Sequence, residues 1–190
     1  EIEIPLARVL ASMEREGFLV DREGIENYND VISSKLEEKL KNIYDMAECE
    51  FNVNSPKQLS EVLFDEDKLG LPHGKKTKSG YSTNAEVLES LRDKHPIINE
   101  ILEYRGLTKL KSTYCEGLLK VIDNDGRIDS TLNQTETRTG RISSAEPNLQ
   151  NIPVRTEQGR ELRKFFVAKE GFALVDADYS QIELRLLAHM

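Results

Sequence analysis

Apolar positions in the first two thirds of the chain fall at helical spacing. Ile2, Leu6, Val9, Leu10 and Met13 mark a first helix, and Gly17 is placed to stop it. Asp21 reads as the N-cap of a second, much longer one. Ile25, Tyr28, Ile32, Leu36, Leu40, Ile43 and Ala47 follow it on one face, with charge on the other. That pattern predicts a helix of about 25 residues, near 40 Å at 1.5 Å per residue. Ser55-Pro56-Lys57-Gln58 supplies an N-cap, a proline in the first turn and a capping-box glutamine. A short helix through Leu59, Val62 and Leu63 is expected to follow. Thr83-Asn84-Ala85-Glu86 repeats this logic before Val87, Leu88 and Leu91, and Pro96 opens a long helix carrying Ile97, Ile101, Leu102, Leu110 and Leu118.

The texture changes near Asp123. Asn124-Asp125-Gly126 is a turn signal, and Ile128, Ser130, Leu132 and Gln134 alternate with their neighbours as in a strand. Thr139-Gly140 reads as another turn. Residues 144–156 are irregular, with two prolines and several amide side chains. Residues 172–178, FALVDAD, read as a buried strand ending in acid, and residues 180–189 as a helix with Ile182, Leu186 and His189 on one side. The expected architecture is a helical arm followed by the start of an α+β domain.

Composition narrows what the chain can do. Its 190 residues are 38% hydrophobic and 32% charged, with a net charge of −8, so a wholly basic nucleic-acid coat is excluded. No run of 18 apolar residues is present. The opening Glu1-Ile2-Glu3 has neither a basic nor an apolar leader character, so no signal peptide and a cytoplasmic location are expected. Cys49 and Cys115 have no CxxC neighbour, which favours two reduced thiols over a zinc site or a disulfide framework. The charge is uneven. The first fifty residues hold 13 acidic against 6 basic side chains, whereas residues 74–84 hold three lysines and no acid. Residues 135–165 hold six basic against four acidic. An acidic protein with such islands can still present a cationic groove.

Three segments carry candidate chemistry. Asp176 and Asp178 are two apart, so an extended strand would point both to one face, the usual way to present carboxylates to a divalent metal. The pattern alone is a weak signal that does not choose between them, because a strand-terminal Asp is common as a helix cap and Asp178 precedes a helix. Arg138, Arg141, Asn148, Gln150, Asn151 and Arg155 fall in one loop region, with Gly140 allowing close backbone approach. Such side chains suit phosphates and base-edge acceptors, and suit equally a polar loop that caps itself. Lys75, Lys76 and Lys78 form either a solvated loop or a phosphate-tracking tip. Arg105 and Lys109 are i,i+4 on the long helix and share a face.

Residues 174–189, LVDADYSQIELRLLAH, resemble the first palm motif of family-A DNA polymerases, the bacterial DNA polymerase I family. Residues 135–155, TETRTGRISSAEPNLQNIPVR, resemble the segment before it; residues 100–114, EILEYRGLTKLKSTY, resemble the long thumb helix, and residues 55–64, SPKQLSEVLF, the first short thumb helix. The resemblance runs in order along essentially the whole chain. Arg138 and Asp176 depart from it, standing where relatives often carry small residues. The family's fingers and second acidic motif have no counterpart in this sequence, nor do its proofreading and 5′ nuclease domains.

The resemblance implies an incomplete polymerase domain of α+β class, a mainly helical thumb arm joined to the start of an antiparallel palm sheet. Residues 1–30 would be a palm-base helix and lead-in, 31–122 the thumb, and 123–190 the first part of the palm. Asp178 would bridge two Mg2+ ions, with the Tyr179 carbonyl a further ligand. Glu183 would crowd the sugar 2′ position, and Tyr179, Ser180 and Gln181 would lie at the nucleotide. Arg141 would face the primer-terminal minor groove, with Asn148, Gln150 and Asn151 beside it. Lys57, Thr83, Asn84, Arg105 and Lys109 would line the duplex-gripping surface, joined by Lys76, Lys78 and Arg155 from the basic islands. The expected partners are primer–template DNA and deoxynucleoside triphosphates, with no membrane, and the expected state is a monomer. Such a fragment would bind DNA without polymerising. A non-catalytic duplex-binding module and a metal-dependent nuclease using Asp176 and Asp178 are the alternatives.

Overall fold

A computed structural model describes residues 1–77, 80–154 and 156–190, with Thr77 described by its backbone alone. Helix α1 (Glu3–Glu16) ends at Gly17, whose φ of +57° suits glycine. A Cβ there would also lie 2.9 Å from the Ile128 carbonyl oxygen, so the crossing of the chain past residues 128–129 demands glycine twice over. Strand β1 (Phe18–Leu19) leads into α2 (Arg22–Ala47), a 26-residue helix capped by Asp21, whose carboxylate accepts the Gly24 N–H. The long helix expected from Asp21 is therefore present at its expected length.

Helix α3 (Pro56–Phe64) is capped by Ser55, but its capping box is altered. The Gln58 side chain accepts from the Asn52 N–H at 2.6 Å instead of the Ser55 N–H, which donates to the Asn52 carbonyl. The cause is the turn at Asn52, whose side chain accepts from Asn54 and which brings a nearer donor to the glutamine. Strands β2 (Lys76–Thr77) and β3 (Gly80–Tyr81) form an antiparallel hairpin before α4 (Ala85–Ser90), capped by Asn84. The helix from Pro96 runs as α5 (Ile97–Lys109), widens into a π-helical turn at Leu110–Cys115, and ends as α6 (Glu116–Leu119). That wide turn keeps Leu107, Leu110, Tyr114 and Leu118 on one buried side of the rod.

Two cores hang on these rods. One gathers Ile43 of α2 with Phe51, Val53, Leu59, Leu63, Leu88, Ile97, Ile98 and Ile101. The other gathers Ile25 and Ile32 of α2 with Val20, Leu107, Tyr114, Leu118, Ile128, Ile152 and Leu162. Between them α2 and α5 are pinned by charge. The Lys39 ammonium lies 2.9 Å from Glu100 and 2.7 Å from Glu103, and the Asn42 amide donates to Glu100 at 3.0 Å. Burial alone would push the Glu100 carboxyl up, but the hydrogen bonds from Lys39 and Asn42 outweigh it and hold its pKa below the ordinary value. Burial pushes the Cys115 thiol up to about 11, so it stays protonated within this packing.

The strand expected through residues 128–134 is two strands. β4 (Arg127–Ile128) pairs antiparallel with β1, and β5 (Thr131–Asn133) pairs with β6 (Ser143–Ala145) in the register Leu132 opposite Ser144. The break falls at Ser130, whose buried hydroxyl donates to the Pro147 carbonyl at 2.7 Å. A 3-10 turn at Leu149–Asn151 and helix α7 (Glu157–Arg163) follow. Among the described residues the sheets are three two-stranded antiparallel pairs, and the class is α+β with helix dominant.

One expectation is overturned. Residues 172–178 are neither a strand nor buried: Val175 is 87% exposed, and Phe172 and Leu174 are also open to solvent. A strand needs a neighbour to take its N–H and C=O groups, and among the described residues none pairs with this one. The strand alternation that would set Asp176 and Asp178 on one face is accordingly not realised. Helix α8 (Ile182–His189) does form, with every residue exposed. Helix α2 runs unbroken across residues 30 and 31, and the turn at Asp123–Gly126 leads into β4.

Candidate nucleic-acid interface

The loop between β6 and α7 is organised by one side chain. Gln150 accepts the Ser144 N–H at 2.9 Å and donates from its amide to the Ile142 carbonyl at 3.0 Å. The Gln150 N–H in turn donates to Asn148 Oδ1 at 3.1 Å, and the Ser144 hydroxyl lies 3.1 Å from the same oxygen. The segment GRISS is thus laced to the segment PNLQN. Here the self-capping side of the sequence reading holds for Gln150, whose amide is engaged at both ends. Among the described residues Asn148 is tied through its oxygen alone. From the other side the Tyr114 hydroxyl donates to the Asn151 carbonyl, anchoring the loop to the α5 rod. Gly159 allows the approach of α7 to this loop, since a Cβ there would sit 2.2 Å from the Pro153 carbonyl oxygen.

This lacing leaves an open groove of about 500 Å³ whose walls include Lys109, Thr113 and Tyr114 of the rod and Pro147, Asn148 and Asn151 of the loop. A neighbouring cleft of about 760 Å³ shares Lys109, Tyr114 and Asn151 and continues past Gly106 to Lys35 and Lys39 of α2. Lys109, Asn148 and Asn151, distant in sequence, therefore share one wall-to-wall space. Arg141 projects into solvent, its backbone carbonyl held by the Thr137 hydroxyl at 2.6 Å, and its guanidinium lies 3.4 Å from Glu183 of α8. Both partners are exposed, so this ion pair contributes little to stability.

At the distal end Lys57 is exposed in the first turn of α3, Asn84 is exposed as the cap of α4, and Lys75 and Lys76 stand on the hairpin. Thr83 is buried. Arg105 does not share an outward face with Lys109. Its guanidinium turns inward and donates to the carbonyls of Thr83 at 2.6 Å and Val53 at 3.4 Å. Burial pushes its pKa below the ordinary value. Lys78 and Arg155 lie outside the described residues.

Sequence reasoning missed the groups that hold this end together. His73 stacks on Tyr81 with ring centroids 3.7 Å apart, Phe64 meets both rings edge-on, and Lys76 lies 6.0 Å from the Tyr81 ring. The Tyr81 N–H donates to the Ser60 hydroxyl at 2.8 Å, and Ser60 is itself buried. Buried Ser60 on an otherwise apolar helix face was the available signal. His73 offered none.

The acidic motif is open. Tyr179 is 79% exposed, Asp176, Asp178, Ser180 and Glu183 are exposed, and the Ser180 carbonyl accepts from Arg185 at 3.0 Å. Gln181 caps α8 in a left-handed conformation with φ of +55°. The Asp178 carboxylate and the Tyr179 carbonyl are the hard oxygen donors that Mg2+ takes. Among the described residues, however, no three acidic, histidine or cysteine side chains cluster to hold a metal ion. The donors are right in kind and too few in number. No helix among the described residues is long and apolar enough to cross a membrane.

The family model for DNA polymerase family A matches residues 22–190, and the chain belongs to that family. It is 54% identical over 190 residues to DNA polymerase I of Caldicellulosiruptor bescii and 53% identical over 192 residues to that of Geobacillus stearothermophilus. All of the chain is covered in both alignments, against 22% of each relative, so the chain spans about a fifth of the length of these relatives. Among solved structures it is similar to the POL domain of Pol1 from M. smegmatis in complex with DNA primer-template and dNTP. There the TM-score is 0.86 and the identity 46%, covering 98% of this chain and 33% of that one.

The lacing makes a prediction. Gln150→Ala should leave the buried Ser144 N–H and the Ile142 carbonyl unpaired and cost about 1–3 kcal/mol, read by urea denaturation. A change within the error of measurement would show that the loop holds itself by other means.

Proposed function

We propose that this chain supplies the duplex-gripping thumb and first palm segment of a DNA-directed DNA polymerase that extends a primer with deoxynucleoside triphosphates in replication or repair. The observation that carries the reading is the groove in which Lys109 of the α5 rod shares its walls with Asn148 and Asn151. Membership of the family and the DNA-bound structural relative support it. Residues 1–30 would form the palm base, 31–122 the thumb, and 123–190 the first part of the palm.

In this reading Lys57, Lys76 and Lys109 meet the phosphate backbone, which fixes register without reading sequence. The exposed caps Asn84 and Asn148 and the side chain of Asn151 add polar contacts along the same track. Arg141 donates to the minor-groove edge of the primer terminus. Purine N3 and pyrimidine O2 accept there in every base pair, so a single donor tests pair geometry and not identity. Gln150 contributes by holding the Arg141 segment in place. Glu183 crowds the sugar 2′ position and thereby favours deoxynucleotides, and Tyr179, Ser180 and Gln181 line the nucleotide side. Asp178 and the Tyr179 carbonyl would be Mg2+ ligands in the two-metal chemistry of the family, and they are insufficient by themselves to hold the ions. The chain alone would bind primer–template and add no nucleotide.

Binding of fluorescent duplexes by anisotropy tests the gripping surface. Lys76→Gln and Lys109→Gln should each weaken binding about threefold to tenfold for every sequence and lower the salt slope by about one. Unchanged affinity, or a loss confined to one sequence, would contradict it.

The acidic motif is tested in a complete polymerase carrying this segment. Asp178→Asn should abolish nucleotide addition while DNA binding survives, and Asp176→Ala should leave most of the rate. Equal severity, or a worse effect at Asp176, would show that the ligand is wrongly assigned.

A further inference from the structure

Arg105 sits one helical turn before Lys109 on α5, yet the two side chains part company. Lys109 is exposed on the groove, whereas the Arg105 guanidinium is half-buried and forked across two backbone carbonyls. Those carbonyls are not arbitrary. Val53 lies two residues before Ser55, the cap of α3, and Thr83 lies immediately before Asn84, the cap of α4. Both Val53 and Thr83 are themselves buried, so each lead-in is pinned by its side chain from below and by Arg105 through its carbonyl. No ion pair engages Arg105 among the described residues, so its charge is directed at peptide oxygens. A rigid planar fork can serve two acceptors at once. A lysine ammonium, with all its donors on one nitrogen, cannot reproduce that geometry.

We propose that Arg105 is a positioning residue for duplex binding: it holds the lead-ins to α3 and α4 side by side, so that Lys57 and Asn84 present to one nucleic-acid backbone, and it does not itself meet a phosphate. The proposal rests on the duplex-binding reading above and adds to it a division of labour within the i,i+4 pair. Lys109 acts through its charge, Arg105 through the two loops it joins.

Duplex affinity of the full chain, measured by anisotropy over a salt series for wild type, Arg105→Lys and Arg105→Gln, separates the roles. A positioning fork predicts that the lysine variant loses about tenfold in affinity, as much as the glutamine variant. Both should retain the helical circular dichroism of the wild type. A second arm pairs Arg105→Gln with Lys57→Gln and with Lys109→Gln. The effects should fall short of additive with Lys57, whose loop has already shifted, and add fully with Lys109. Affinity within twofold of wild type for Arg105→Lys, with a loss and a slope reduced by about one only in Arg105→Gln, would identify a direct phosphate contact and overturn the proposal.

Should a variant fail to fold, the wild type decides. The side-chain N–H resonances of 15N-labelled Arg105 should be protected from solvent exchange and unmoved when duplex is added. A large shift on titration would overturn the proposal. Failure of the wild-type chain to bind any duplex at low salt would instead overturn the function reading beneath it, an outcome distinct from either Arg105 result.

Discussion

The crossing of α2 and α5, pinned by Lys39 between Glu100 and Glu103, is the contact on which both ends of the molecule depend. On one side of it the apolar residues of α2 close a core with α3, α4 and the start of α5. On the other they close a second core with the π-helical turn, β4 and α7. Because one continuous helix serves both cores, the distal lysines and the proximal loop are held on a common frame. A flexible linker between the cores would leave the basic tip and the asparagine loop free to drift. Here they stand at fixed separation along two packed rods, the condition for tracking a stiff polyanion without reading its sequence.

Much of this arm was legible in the sequence because local rules and global packing agree there. Asp21, Ser55 and Asn84 are caps in the structure as in the pattern, and the apolar stripe from Ile25 to Ala47 is one helix. Misreadings came where a side chain found a partner far along the chain or off the expected register. Ser130 breaks a strand by bonding to Pro147, Gln58 reaches Asn52, and the rod from Pro96 hides a π-helical turn that periodicity does not reveal. Arg105 is the most instructive case. Its i,i+4 spacing from Lys109 places both on one helical face, but spacing does not say that two carbonyls separated by thirty residues of chain would converge on its guanidinium.

Legibility reversed at the C-terminal end. The motif around Asp178 is the most specific part of the sequence, and its geometry is the least determined by its surroundings. An apolar run ending in carboxylates becomes a strand only beside another strand, and none of the described residues supplies one. The apolar side chains of Phe172, Leu174, Val175 and α8 consequently face solvent. Large exposed apolar patches of this kind mark interaction surfaces. The chemistry of the segment is thus written in residue types, whereas the proposed duplex-binding surface is written in fold. That difference explains why Asp178 could be singled out by resemblance and Tyr114 and His73 could not be singled out at all.

In the proposed function, the groove at Lys109, Asn148 and Asn151 and the distal tip form one duplex-binding track. Amide hydrogen exchange of the chain, with and without a primer–template duplex at low salt, tests it most directly. The track predicts slowed exchange at residues 148–152 and at the lead-ins and first turns of α3 and α4, with α1 unchanged. Slowing confined to α1 and the exposed apolar segment from Phe172, with residues 148–152 unaffected, would contradict it.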